Sequence, residues 1–288
     1  MAKRQLSPEE RRERIEAAHA MLVAEVETLT SSAAWLDYLK FVARFPTRSA
    51  RNNLLIRAQC PDATAVLGYR QWEALGRHVR RGEHGLRIFA PVTRRIERDD
   101  PDTGETDVAR LVRGFRLVSV FDVSQTDGEP LPADPVRPQL VEGEAPVGMW
   151  EELARHVTDC GFTLELVPTI AVHPLANGIT IHPSHLVQVA TDGRSPAQQV
   201  KTLAHELAHV RLHGDGETPR PIAEVEAESV AFLIAESWGL DTTNYTVPYV
   251  AGWGGRDTNA VLHVAERVQR CAAAILVLDD ATIDDAAA

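Results

Sequence analysis

The chain has 288 residues, enough for two domains of ordinary size, each with its own core. With 44% hydrophobic and 25% charged residues it has a globular composition, and no run approaches the roughly 18 apolar residues of a membrane helix. Three cysteines (Cys60, Cys160, Cys271), far apart and in no CxxC pair, exclude a disulfide scaffold and point to a reducing compartment. No apolar core of signal-peptide length opens the sequence, so a cytoplasmic protein without a membrane partner is expected.

The net charge of −11 conceals a split: residues 1–130 carry 21 Lys/Arg against 19 Asp/Glu, the remainder 9 against 22. Within residues 40–98 the balance is 13 basic to 4 acidic, which suits a polyanion partner or a solvated basic face.

In chain order, Ser7-Pro8 with two following glutamates starts an amphipathic helix over 7–29, with Ile15, Ala18, Leu22, Val26 and Leu29 at helical spacing. "SAAWLDYLKFVARF" and "SARNNLLIRAQC" predict two further helices, each ended by a proline. "YRQWEALG" is a short helix, "LRIFAPVTRRI" a strand, and "VARLVRGFRLVSVFDVSQT" its returning partner across a polar turn. Residues 131–147, rich in proline, suit a linker. "GMWEELARHVTDC" is a helix capped by Gly161, followed by the strands "FTLELV", "GITIH" and "LVQVA", with Asn177-Gly178 as a tight-turn signal. "SPAQQVKTLAHELAHVRLHG" is marked as a helix at both ends, Ala223 to Trp238 is another, and a last one follows Asp257. The expectation is an α+β protein with a domain at 1–130, a linker at 131–147 and a second domain at 148–288.

The chemistry concentrates in "HELAH". On a helix, His205 and His209 project from one face and can take two positions of a tetrahedral zinc ion, the only cofactor expected (Zn2+). Glu206 lies beside them as the catalytic acid/base for an attacking water, the HExxH pattern of zinc peptidases. A metzincin would need glycine and histidine where Leu212 and Asp215 stand, so that class is excluded. The third ligand is then sought on the glutamate helix. Glu224 and Glu228 share a face there, and two buried acids need a cation or donors. Glu224 as ligand with Glu228 supporting a ligand histidine accounts for both, and Glu228 as ligand is the alternative. Glu226 points elsewhere, and His213 caps the helix end. Tyr245 and Tyr249 are candidates for oxyanion donors or for packing.

Two blocks, "NNLLIRAQCPDATAVLGYRQWEALGRHVRRGEHGLRIFAPV" and "VFDVSQTDGEPLP", resemble the N-terminal single-stranded-DNA-binding domain of ArdC-type antirestriction proteins. "TLAHELAHVRLHG" with "EVEAESVAFLIAESWGLDT" resembles the zincin-like metallopeptidase half of the same proteins and of the ImmA/IrrE group. The resemblance implies zinc on His205, His209 and Glu224, Glu206 as acid/base, a peptide or protein substrate, and association with mobile elements. It also gives the basic half a partner, single-stranded DNA, for which Tyr69, Arg70, Trp72, Arg77, Arg80, Arg81 and Arg87 supply charges and stacking faces. Two other readings stand beside this one: a DNA-binding protein with a non-catalytic zinc, and a regulatory protease that cleaves a repressor.

Overall fold

The computed structural model describes residues 7–29, 31–99, 106–131, 143–242, 245, 247–248 and 258–276. Tyr249, Asp257 and most of the 131–147 segment lie outside them. The elements run α1 (Pro8–Glu27), α2 (Ser32–Arg44), α3 (Ala50–Gln59), β1 (Val66–Gly68), α4 (Tyr69–Ala74), β2 (Arg77–Val79), β3 (Leu86–Asp99), β4 (Thr106–Asp122) and β5 (Thr126–Gly128). There follow α5 (Met149–Asp159), β6 (Thr163–Val167), β7 (Gly178–Ile181), β8 (Leu186–Ala190), α6 (Pro196–Leu212), α7 (Arg220–Trp238) and α8 (Thr258–Ile275). The fold is α+β.

Two compact units divide the chain. Among the described residues, the first holds 7–25 and Arg51–Leu131, the second Val26–Ala50 and the residues from 143 onward. A boundary near 130 assigns α2 to the first domain, yet α2 packs on α7 in the second unit. There the buried Trp35 indole donates to Ser229 Oγ at 2.8 Å. Composition could not show this, because an amphipathic helix does not name the surface it will bury.

In the first unit, β1, β4 and β3 form an antiparallel sheet in that order, and β2 pairs with β5. The short strands β1, β2 and β5 have no run long enough to signal from sequence. Leu86, Ile88, Ala90 and Val120 point to the core. The outer edge of β3 is sealed by α3 side chains. Asn52 exchanges two hydrogen bonds with the Phe89 backbone (2.8 and 2.9 Å), and Gln59 does the same with Arg87 (2.8 and 3.0 Å). This covering removes an otherwise sticky strand edge.

In the second unit a three-stranded sheet has the order β6-β8-β7, with β6 parallel and β7 antiparallel to β8. Helix α6 starts as its sequence requires: Ser195 Oγ accepts from Gln198 N at 3.3 Å and Pro196 occupies the first turn. Helix α7 stops at Gly239, whose φ of 76° is left-handed. Leu203, Leu207, Val230, Phe232, Ile234 and Val268 are among the buried side chains of this unit's helices. No described helix is long and apolar enough to cross a membrane, and the three cysteines are free thiols.

Candidate metal centre and basic sheet face

Helices α6 and α7 pack against each other and bring His205, His209 and Glu224 together. His205 Nε2 lies 3.0 Å from His209 Nε2, and Glu224 Oε2 lies 3.6 and 4.0 Å from these two nitrogens. Tetrahedral ligands about 2.0–2.1 Å from a zinc ion stand roughly 3.3 Å apart, so the triangle has the size of one cation's coordination shell. Two imidazole nitrogens and one carboxylate oxygen are also a donor set suited to such an ion.

Each histidine is gripped from behind. His205 Nδ1 is 2.8 Å from Glu228 Oε2, and the other oxygen of Glu228 is 3.1 Å from Lys201 Nζ. Glu228 therefore stands behind the histidine rather than in the triangle. His209 Nδ1 is 2.9 Å from His213 Nδ1, and His213 Nε2 is 2.9 Å from Glu226 Oε2. His213 does cap α6, its backbone N–H reaching His209 O at 3.0 Å, and its ring also meets that of His209. Glu226, set aside as pointing elsewhere, faces His213. The i,i+4 step from His209 to His213 and the 13-residue step to Glu226 hold no signature in sequence, because the second depends on how α7 docks.

The electrostatics match a site built for a cation. Burial opposes a charged His205, but the Glu224 carboxylate 3.6 Å away and the Glu228 carboxylate bonded to it at 2.8 Å outweigh this and raise it to about 10. Burial, with the neighbouring His205 and His213 imidazoles, lowers His209 to about 3. The metal-free site thus carries one proton at neutrality, held mainly on His205. A metal ion must displace it, so affinity should rise with pH until His205 titrates, by about tenfold per pH unit while one proton is released. Zinc competition titrations against a chelator across a pH series measure this; a flat profile contradicts it.

Glu206 is 6% exposed. Burial raises its carboxyl above the ordinary range, against the partial relief of the His205 charge and of a 2.7 Å hydrogen bond from Thr180 Oγ1. Beside it opens a cavity of about 480 Å3 whose walls include Gly178, Lys201, His205, Glu206, Glu228 and Tyr245. The Tyr245 ring is buried, receives the Lys201 ammonium 3.6 Å from its centroid, and donates its hydroxyl to Glu228 O at 3.2 Å.

Gly178 corrects one expectation. It makes no left-handed turn but begins β7, and glycine is needed there for room. A Cβ at this position would lie 2.6 Å from Thr202 Cγ2 and 2.8 Å from Glu206 Oε1. Gly178→Ala should therefore displace Glu206 and lower stability by about 1–3 kcal/mol, as urea unfolding would report.

In the first unit the predicted DNA residues separate into two groups. Trp72 is 0% exposed and donates its indole N–H to Phe121 O at 2.9 Å, so it is core and offers no stacking face. Arg77 is tied down by Thr126, Gly128 and Glu129, and Arg80 by Glu83, Asp127 and Ser124. Both guanidinia are engaged by the protein's own groups, that of Arg80 from an exposed position. Tyr69, Arg70, Arg81 and Arg87 are exposed.

Strand alternation shows where an outward face lies. The pairs Arg87↔Ser119, Phe89↔Leu117 and Pro91↔Phe115 stand on the side of the sheet opposite Leu86, Ile88 and Val120, together with Phe121. Phe115 is 64% exposed, Arg87 bonds Ser119 Oγ at 2.7 Å, and Tyr69 meets Phe121 edge-on at 6.4 Å. Phe115 was missed in the sequence, where "GFRLVSVF" is apolar on both strand faces and does not reveal which one faces solvent.

Residues 12–121 match the family model described as the N-terminal domain of anti-restriction factor ArdC. An uncharacterised protein of Bacillus anthracis aligns at 24% identity over 87% of this chain and 48% of its own length. The chain thus spans about half the length of that curated relative. Among solved structures, the metal-free antirestriction ArdC protein from a plasmid superposes with a TM-score of 0.52 at 18% identity, covering 93% of this chain and 98% of that one. Its Mn(II)-bound structure gives 0.46 at 16% identity, over 83% of this chain and 96% of that one.

Proposed function

We propose, for a chain that in residues 12–121 carries an ArdC N-terminal domain, an antirestriction-type protein that binds single-stranded DNA and hydrolyses peptides with a divalent metal, zinc by its ligand chemistry. The observation that carries the hydrolytic half is the triangle of His205, His209 and Glu224 with Glu206 at its side, of which His205 and Glu206 line a cavity. A cation held there would acidify a water and polarise a peptide carbonyl. Glu206 would take the attacking water's proton and pass it to the leaving amine, a task suited to a carboxyl raised toward neutrality by burial. Thr180 holds that carboxyl in place through Oε2. Strand β7 pairs only with β8 among the described strands, and Gly178 at its start lines the cavity. An extended peptide running along its outer edge would therefore pass Glu206. Incubating the zinc-loaded chain with a random peptide library, with and without chelator, tests this half; metal retention without cleavage would reduce the centre to a non-catalytic site.

The DNA half is supported by the outward sheet face. Exposed Phe115 on that face and Tyr69 beside its Phe121 offer rings for bases, Arg87 on the face offers charge, and Arg70 and Arg81 are exposed elsewhere in the same unit; rings with such charge bind single strands with little sequence preference and strong salt dependence. Phe115→Ala should weaken binding of a single-stranded oligonucleotide by about 1–3 kcal/mol per lost stack, roughly 5- to 150-fold, with no loss of thermal stability. Gel shifts across a salt series measure it, and unchanged affinity would remove this face from the interface.

A further inference from the structure

We propose that His213, Glu226 and Arg267 are positioning residues that set the tautomer of His209 and so keep its Nε2 lone pair turned toward the metal position. The inference rests on His205, His209 and Glu224 being a cation site.

The chain of hydrogen bonds has one possible direction when its imidazoles are neutral. A guanidinium only donates. Arg267 places Nε 2.8 Å from Glu226 Oε1 and Nη2 3.2 Å from Oε2, and Nη2 also donates to Leu212 O at 2.8 Å, at the end of α6. The Glu226 carboxylate, 1% exposed, can only accept, so the 2.9 Å bond from His213 Nε2 must carry that ring's N–H. His213 Nδ1 is then an acceptor. Facing it at 2.9 Å, His209 Nδ1 must donate. A neutral His209 with its proton on Nδ1 has a bare Nε2, which lies 3.0 Å from His205 Nε2 and 4.0 Å from Glu224 Oε2. The opposite tautomer would put an N–H where the cation belongs.

The helices explain why an additional imidazole is needed. Glu224, Glu226 and Glu228 lie two residues apart on α7, and each step of two turns the side chain by about 200°. Glu224 and Glu228 face the ligand histidines, and Glu228 grips His205 directly. Glu226 faces the other way and reaches His209 only through His213, one turn further along α6. Arg267 completes the path from α8, holding the acid and the last turn of α6 with one guanidinium.

The 288-residue chain is tested in two ways. Nitrogen-15 spectra of the metal-free protein should show His209 protonated at Nδ1; finding the proton on Nε2 overturns the inference whether or not metal binds. Zinc affinity, measured by competition with a chromogenic chelator, should fall about 10- to 100-fold in His213→Leu. His213→Asn, whose side-chain oxygen can accept from His209 Nδ1, should recover most of it. A merely structural role would lower the melting midpoint in both variants and leave zinc affinity at the wild-type value, which also overturns the inference. A wild-type chain that binds no zinc would defeat the metal reading instead, and the histidine spectrum would still decide the tautomer.

Discussion

Glu206→Gln should retain zinc but lose peptide hydrolysis by about 10²- to 10⁴-fold, the usual contribution of a positioned general base. Glutamine keeps an oxygen for Thr180 and the same shape beneath Gly178, so the ligand triangle should be undisturbed. A second effect has the opposite sign. The folded-state pKa of Glu206 is raised by burial, so the ionised form opposes folding. Wild type and variant should therefore be about equally stable below the ordinary carboxylate range. As pH rises from that range to the folded value, the unfolded wild type ionises Glu206 freely while the folded chain resists the buried charge, so the metal-free variant becomes the more stable and the difference levels off above the folded value. Melting curves across a pH series read this directly, and peptidase assays on the zinc-loaded variant read the first effect. Normal cleavage by the variant would remove Glu206 from the reaction.

Trp72→Ala should destabilise the first unit by about 3–5 kcal/mol, the range for deleting a fully buried aromatic side chain. The ring fills the core, its N–H satisfies Phe121 O, and the Arg77 guanidinium sits 5.9 Å from its centroid. Any loss of DNA binding in this variant should follow the fraction unfolded. At a temperature where the variant stays folded, its affinity for single strands should match the wild type, in contrast to Phe115→Ala. Urea unfolding combined with gel shifts separates the two outcomes. Selective loss of DNA binding by a folded Trp72→Ala protein would return that tryptophan to the interface.

These variants also mark where sequence reasoning was sufficient. Helix α6 could be placed closely because each of its signals is local: Ser195 and Pro196 at the start, Gly214 after the end, and histidines one turn apart. The HExxH face follows from 3.6 residues per turn alone. Glu224 and Glu228 could be paired by the same arithmetic, since both lie on one helix. The block from Asn52 to Val92 that carries the resemblance is likewise contiguous text.

The readings that changed all depended on what an element packs against. Trp72 and Phe115 are both aromatic residues in arginine-rich stretches, and only the docking of α4 under the sheet buries one while the other stays in solvent. Gly178 looks like a turn glycine until Thr202 and Glu206 are seen in the space its Cβ would need. Local periodicity by itself determined the helices, the histidine pair and the acid beside it. Tertiary structure alone decided which side chains Glu226 meets, the helix that α2 braces and the sheet face that meets solvent. The physical reason is that backbone hydrogen bonding and side-chain period act within a few residues. Burial and long-range polar pairing are settled only when distant segments compete for the same surface.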